Sequence, residues 1–426
     1  MGIDSIFQMN YNLCEERGEY IKNSCINTIV MRENALLNNQ NFIRRKKMKK
    51  VLIALFACLM VVCCFGLAAC TGNGEANIKY NENYRVAMIT DYGDITDQSF
   101  NQTTYEACKE FCEAFSIQFK YYKPAGDSTE ARVASVNTAI AEGYNVIVMP
   151  GYAFGATIEA TAGANPKVTF LALDVGAGDF SKGYVLPANV TSFVYQEELA
   201  GFMAGYAAVK EGYEKLGFLG GIGVPAVKRF GFGFVQGADL AAKEMSKTDR
   251  VSIQYIYGGQ FYGDSDITAV MDTWYGEKGV QAVFACGGGI FTSACEAAVK
   301  VNGGKVIGVD VDQSAIINAY KDGLCITSAM KGLAATVKTV LANTVVGNWS
   351  IYSSKISTMG LISATDPSVN YVQLPMDTWS MTTFTKDDYK ALVAKLYNGE
   401  ITVSNDISVD KPETTITVNV LGNIKG

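Results

Sequence analysis

Six short stretches of this chain place carboxylates, glycines, one lysine and two phenylalanines directly after runs of β-branched residues. The first is Thr90-Asp91-Tyr92-Gly93-Asp94-Ile95-Thr96-Asp97-Gln98-Ser99-Phe100-Asn101. Asp174 follows a second run, and Gly220-Gly221-Ile222-Gly223-Val224-Pro225 leads through Val227-Lys228-Arg229 to Phe230. Cys286-Gly287-Gly288-Gly289, Gly308-Val309-Asp310-Val311-Asp312-Gln313 and Ser328-Ala329-Met330-Lys331 complete the set. Carboxylates accept hydroxyl hydrogens in charge-assisted bonds. Glycines such as Gly288 let backbone approach a ligand closely, and aromatic faces such as Phe100 and Phe230 stack on a flat ring. Together these groups suit a neutral polyol joined to a planar ring. Phosphate would want the opposite charge, and the chain has no G-x-x-x-x-G-K-[ST] loop. Taken singly, each residue is equally explained as a cap, turn or core aromatic; their common position at strand ends points to a ligand site.

Composition narrows the chemistry further. The 426 residues contain no histidine, which excludes a Ser-His-Asp or Cys-His nucleophile, a histidine metal ligand and an imidazole base. Eleven cysteines include no C-x-x-C, so a zinc or redox motif is not expected and buried thiols are. No cofactor and no metal are expected. The net charge of −6 argues against nucleic acid as a partner.

A short apolar strand followed by an amphipathic helix recurs from Tyr84 onward. Strands are predicted at 85–90, 117–122, 146–149 and 168–173, then at 215–219, 251–257, 281–285 and 305–309. Helices are predicted at 99–115, 129–142, 196–211, 226–245, 265–277, 291–302 and 331–345. Such alternation gives α/β architecture with doubly wound parallel sheets. Two series of this length predict two lobes joined by hinge strands, with residues 84–192 and about 326–348 in lobe I. Residues 193–325 and about 349–426 would form lobe II. Ligands in such sheets lie beyond the carboxyl ends of the strands, where the six stretches stand.

The stretches Thr90-Asp91…Asp97-Gln98-Ser99-Phe100-Asn101, Gly217-Phe218-Leu219-Gly220-Gly221, Val227-Lys228-Arg229-Phe230 and Gly308-Val309-Asp310-Val311-Asp312-Gln313 resemble the basic membrane lipoprotein family. These are substrate-binding proteins of ABC importers, and the best-known branch is the purine nucleoside receptor. The resemblance runs from Tyr84 to about Val346 and implies a type I periplasmic-binding-protein fold. It further implies that Phe100 and Phe230 sandwich a base from opposite lobes and that Asp91 reads the base's polar edge. Asp174, Asp310 and Lys331 would hold the ribose hydroxyls. The chain departs from the family at Asp94, where glycine is usual, at Gly231, where an acidic residue is usual, and at Tyr92, where the purine branch often has asparagine. All three positions adjoin the implied base pocket.

The leader has its own logic. Residues 1–50 carry nine basic and five acidic side chains, 51–69 carry none, and the remaining 357 residues carry −10. Arg44-Arg45-Lys46-Lys47-Met48-Lys49-Lys50, the apolar run Val51 to Ala69, and Leu67-Ala68-Ala69-Cys70 have the order of a secretory signal ending in a lipobox. Residues 48–69 are thus expected to be a lipoprotein signal peptide, Cys70 the lipidated residue, 70–83 a linker, and 1–47 an upstream extension or a start codon assigned too early. The alternative, an uncleaved membrane helix, also leaves the later residues outside, because the basic cluster stays inside.

The expectation is a lipid-anchored, monomeric, extracytoplasmic binding protein that captures a nucleoside and passes it to a membrane permease. Two alternatives use the same residues: a surface nucleoside sensor without a transport role, and a metal-dependent nucleoside hydrolase using Asp91, Asp94 and Asp97. Ser328-x-x-Lys331 matches a penicillin-binding motif without its companions, and Gly231-x-Gly233-x-x-x-Gly237 is a poor dinucleotide fingerprint inside a predicted helix.

Overall fold

The computed structural model describes residues 83–425. The leader features, including Cys70 and its lipobox, lie outside the described residues.

The apolar runs form strands. Val146–Pro150 (β3) and Thr169–Leu173 (β4) are buried almost throughout, as parallel strands covered on both faces must be. They join Arg85–Ile89 (β1), Gln118–Tyr122 (β2), Val190–Tyr195 (β5) and Lys355–Met359 (β11) in a six-stranded parallel sheet of order β11-β5-β4-β3-β1-β2. A second sheet contains Lys215–Gly220 (β6), Ser252–Tyr257 (β7), Ala282–Cys286 (β8), Lys305–Asp310 (β9), Cys325–Lys331 (β10), Val372–Gln373 (β12) and Thr417–Asn423 (β13). Its order is β12-β10-β9-β8-β6-β7-β13, parallel except for β12. This is the two-lobed, doubly wound architecture of the type I periplasmic-binding fold.

Helices begin where the sequence provides caps. The Asp97 carboxylate accepts from the backbone N–H groups of Ser99, Asn101 and Gln102 at 2.9–3.0 Å, so it starts α1, Phe100–Phe115. Ser99 therefore keeps its hydroxyl for another partner. Ser128 caps α2, Thr129–Ala141, through Ala131 N–H. After the short α3, Gly155–Thr161, two long helices, α4 (Glu197–Glu211) and α5 (Pro225–Glu244), pack backbone to backbone. A Cβ on Gly233 would collide with the Glu198 carbonyl, and one on Gly237 with that of Phe202. The glycine pattern in α5 is thus a helix-packing seam. Cys108, Cys112, Cys286, Cys295 and Cys325 are buried free thiols.

The lobe boundaries differ from those expected. The first sheet continues to Tyr195 rather than ending at 192. The strand at 325–331 lies wholly in the second sheet, although lobe I was expected to resume at 326. Residues 355–359, assigned to lobe II, pair with β5 in the first sheet. Lys355-Ile356-Ser357-Thr358-Met359 forms an edge strand with no buried residue, so it lacks the apolar run that marks a central one. Helix Leu333–Val345 (α9), after α6 (Ser265–Gly276), α7 (Phe291–Ala298) and α8 (Ser314–Asn318), packs on α1 of lobe I. Among the described residues the chain consequently passes between lobes three times, after Tyr195, after Lys331 and between Met359 and Val372. These passages bond to one another: Gln196 N–H to Met359 O at 2.9 Å, Gly332 N–H to Tyr371 O at 2.8 Å and Tyr371 N–H to Gly360 O at 3.0 Å.

Candidate functional site

All seven candidate ligand residues, Asp91, Phe100, Asp174, Phe230, Gly288, Asp310 and Lys331, line one cavity of about 750 Å³ between the lobes. That volume lies in the range of small-molecule sites, about 300–1,000 Å³. Each residue reaches it for a local reason. Asp174 follows β4 with φ +58° and Asp310 ends β9 with φ +64°, a left-handed backbone that is costly for a residue with a Cβ. Both strained aspartates point at the same atom.

That atom is the Lys331 ammonium at the end of β10. It stands 2.6 Å from Asp174 Oδ2, 3.4 Å from Asp310 Oδ1 and 3.8 Å from Glu197 Oε1, with the lysine side chain 3% exposed. Burial opposes the charge, yet the three carboxylates raise the lysine pKa above its ordinary value, so the ammonium stays charged. Asp174 is raised by burial against the pull of Lys331, and its Oδ1 is buried without a hydrogen-bond partner. The Lys331 ammonium also lies 4.6 Å from the Phe100 ring centroid and 5.6 Å from those of Phe230 and Tyr195, within cation–π reach. Charge, hydroxyl acceptors and aromatic faces are thereby gathered in one place.

Asp91 stands two residues past β1. Its Oδ1 accepts from the Tyr92 and Gly93 N–H groups at 2.6 and 2.7 Å, and burial raises its pKa despite those bonds. Asp94 instead pairs with Lys123 at 2.9 Å, and Asp97 caps α1. The three aspartates therefore serve three separate tasks. Gly288 has φ +48°, and a Cβ there would sit 2.7 Å from the Phe261 carbonyl; the glycine is required for this turn. Ser328 and Lys331, three apart on a strand, project from opposite faces, which dissolves the S-x-x-K likeness. The Ser328 hydroxyl accepts from Gln313 N–H at 3.1 Å.

Several cavity or supporting residues were not legible. Glu197 is fully buried and holds Arg229 at 2.6 Å; it follows β5, whose Val-Thr-Ser-Phe-Val-Tyr run is a strand signal of the same kind. Ser99 donates to Asp310 Oδ2 at 2.6 Å across the lobes, and Gln313 Nε2 donates to the Gln98 carbonyl at 3.1 Å. Phe261 stands across from Tyr92, ring centroids 6.4 Å apart and planes at 28°. Its setting, Gly258-Gly259-Gln260-Phe261-Tyr262-Gly263 after a strand, carries the same signal used elsewhere.

Two doubly wound lobes, three linking passages and a polar-aromatic cavity between them define a bilobal solute-binding protein. Residues 84–405 match the family described as ABC transporter substrate-binding protein, PnrA-like, and the chain belongs to that family. It is 28% identical over 322 residues to the ABC transporter nucleoside-binding protein BmpA of Lactococcus lactis, covering 71% of this chain and 87% of that protein. It is also 28% identical to basic membrane protein A1 of Borrelia garinii, covering 69% of this chain and 80% of that one. Among solved structures, a solute-binding protein of an ABC transporter system from Aeropyrum pernix superposes with a TM-score of 0.63 at 19% identity, covering 77% of this chain and 95% of that one. The resemblance read from the motifs is thus a family membership. Among the described residues, no helix is long and apolar enough to cross a membrane.

Proposed function

We propose that this protein captures a nucleoside, preferentially a purine nucleoside, between its two lobes. Lipid on Cys70 holds it at the outer face of the cell membrane, and it hands the ligand to an ABC permease. The observation that carries the ligand class is the Lys331 ammonium shared by Asp174 and Asp310, one carboxylate from each lobe, beside the Phe100 and Phe230 rings. In this reading the three charged groups hold ribose hydroxyls, the free Asp174 Oδ1 accepting one of them. The rings stack on the base, and Asp91 offers its remaining lone pairs to the base's polar edge. The nucleoside-binding relative supports the same ligand class. Binding and release need no bond to break, which suits a site without an imidazole base.

Isothermal titration against nucleosides, free bases and ribose tests the ligand. Nucleosides should bind most tightly, Phe230→Ala should lower their affinity about tenfold or more through loss of one stacking face, and Asp310→Ala should harm nucleosides more than bases. Binding of ribose alone, or of none of these, would overturn the reading. Mass spectrometry of the membrane-extracted protein tests the anchor: the expected N-terminus is lipidated Cys70, and an intact Met1 would refute it.

A further inference from the structure

We propose that Thr417–Lys425 is a positioning element of the cleft: it holds Phe261 opposite Tyr92 as a second aromatic pair, which favours bicyclic over monocyclic bases. This rests on the nucleoside reading for its ligand class. The segment lies beyond the family-matched residues, which end at 405.

The loop after β7 carries Phe261 and is held from two sides. On the β8 side, Gly289 N–H donates to the Phe261 carbonyl at 2.8 Å, and a Cβ on Gly287 would come within 2.8 Å of the Phe261 ring. On the other side stands the C-terminal segment. Strand β13 pairs with β7 in parallel register, Ile424 N–H donates to Tyr257 O at 2.8 Å, and the Lys425 ammonium pairs with Asp264 and, at 3.4 Å, with Asp266. Asp264 Oδ2 also accepts from Gln260 Nε2 at 2.9 Å, and that same nitrogen donates to the Tyr262 carbonyl at 3.0 Å. A hydrogen-bonded chain thus runs from Lys425 through Asp264 and Gln260 to Tyr262, closing around Phe261.

Tyr92 and Phe261 both line the cavity and come from opposite lobes. Their near-parallel rings stand close to the outer limit of about 7 Å for direct aromatic contact, so their faces are only loosely packed on each other. Phe100 and Phe230 gather at Lys331. Two aromatic pairs in one cavity offer more planar surface than a single six-membered ring covers, and stacking strength grows with the area covered.

Three measurements test this. In unliganded protein, Lys425→Ala should speed hydrogen exchange of the peptide spanning 258–264, and Lys425→Arg should restore it, whereas Lys300→Ala, which breaks the exposed pair with Asp272, should not change it. Phe261→Ala should weaken purine nucleosides about tenfold and pyrimidine nucleosides less. Lys425→Ala should weaken purine nucleosides several-fold in the parent and add nothing in the Phe261→Ala background. Unchanged exchange in Lys425→Ala, equal losses for both base classes, or additive losses in the double variant would overturn the proposal. Failure of the parent to bind any nucleoside would instead overturn the functional reading, and the exchange experiment would still decide the role of Lys425.

Discussion

Replacing Lys331 by methionine perturbs the group on which the whole cavity is organised. The side chain keeps its approximate volume and loses its charge, leaving Asp174, Asp310 and Glu197 together with Arg229 as the nearest compensating cation. At an effective dielectric constant of about 20, contacts of 2.6, 3.4 and 3.8 Å are each worth about 4–6 kcal/mol of gross attraction. Desolvation of the buried ions offsets most of that. Removing one partner still leaves uncompensated buried charge, and the net cost at pH 8 should be about 3–5 kcal/mol. The pH dependence is the sharper signature. Burial already raises the Asp174 pKa against the pull of Lys331; without the ammonium it binds its proton still more tightly folded than unfolded, so the variant gains stability relative to the parent as pH falls. Urea denaturation of both proteins at pH 8, 6.5 and 5 measures this directly. The deficit should be largest at pH 8 and shrink at pH 5. A cost below about 1 kcal/mol, or a deficit independent of pH, would refute the argument that Lys331 is the charge-balancing centre of the site.

Two further outcomes follow from residues around that centre. Ser99→Ala removes a buried, charge-assisted bond joining the lobes, worth about 1.5–3 kcal/mol; small-angle scattering of the unliganded variant should show a larger radius of gyration, and ligand affinity should fall. Identical scattering and affinity would show that the Ser99–Asp310 bond does not hold the lobes together. Glu198 is buried at the start of α4, and burial pushes its carboxyl up to about 7. Its proton is held more tightly folded than unfolded, so its stabilisation is full below about pH 4.5 and lost as pH rises through about 7. Glu198→Gln should therefore match the parent near pH 4.5 and exceed its stability by up to about 3 kcal/mol at pH 8; an offset that does not vary with pH would contradict this.

Much of the fold was legible because parallel strands buried on both faces must be written as apolar runs. Val146-Ile147-Val148-Met149 and Val168-Thr169-Phe170-Leu171-Ala172-Leu173 read plainly for that reason. β11 did not, since an edge strand with no buried residue needs no such run, and its assignment to the first sheet shifted the lobe boundary. The strand-end rule placed all seven candidate residues at one cavity. It left out Glu197, which follows the further apolar strand β5, and Phe261, whose glycine-rich loop after β7 carries the same strand-end signal.

By itself the sequence determined the alternation of strand and helix, the positions of the strand ends, the chemistry available there and the exclusion of histidine catalysis. These depend on residue type and near-neighbour spacing, which the chain carries locally. Only the tertiary structure decided which aspartates share one ammonium, that Ser99 reaches Asp310 rather than capping its own helix, and that the C-terminal strand braces the Phe261 loop. Most such pairings, Asp174 with Lys331, Ser99 with Asp310 and Lys425 with Asp264, join residues more than a hundred positions apart. Their partners are selected by sheet order and lobe contact, which no local pattern encodes.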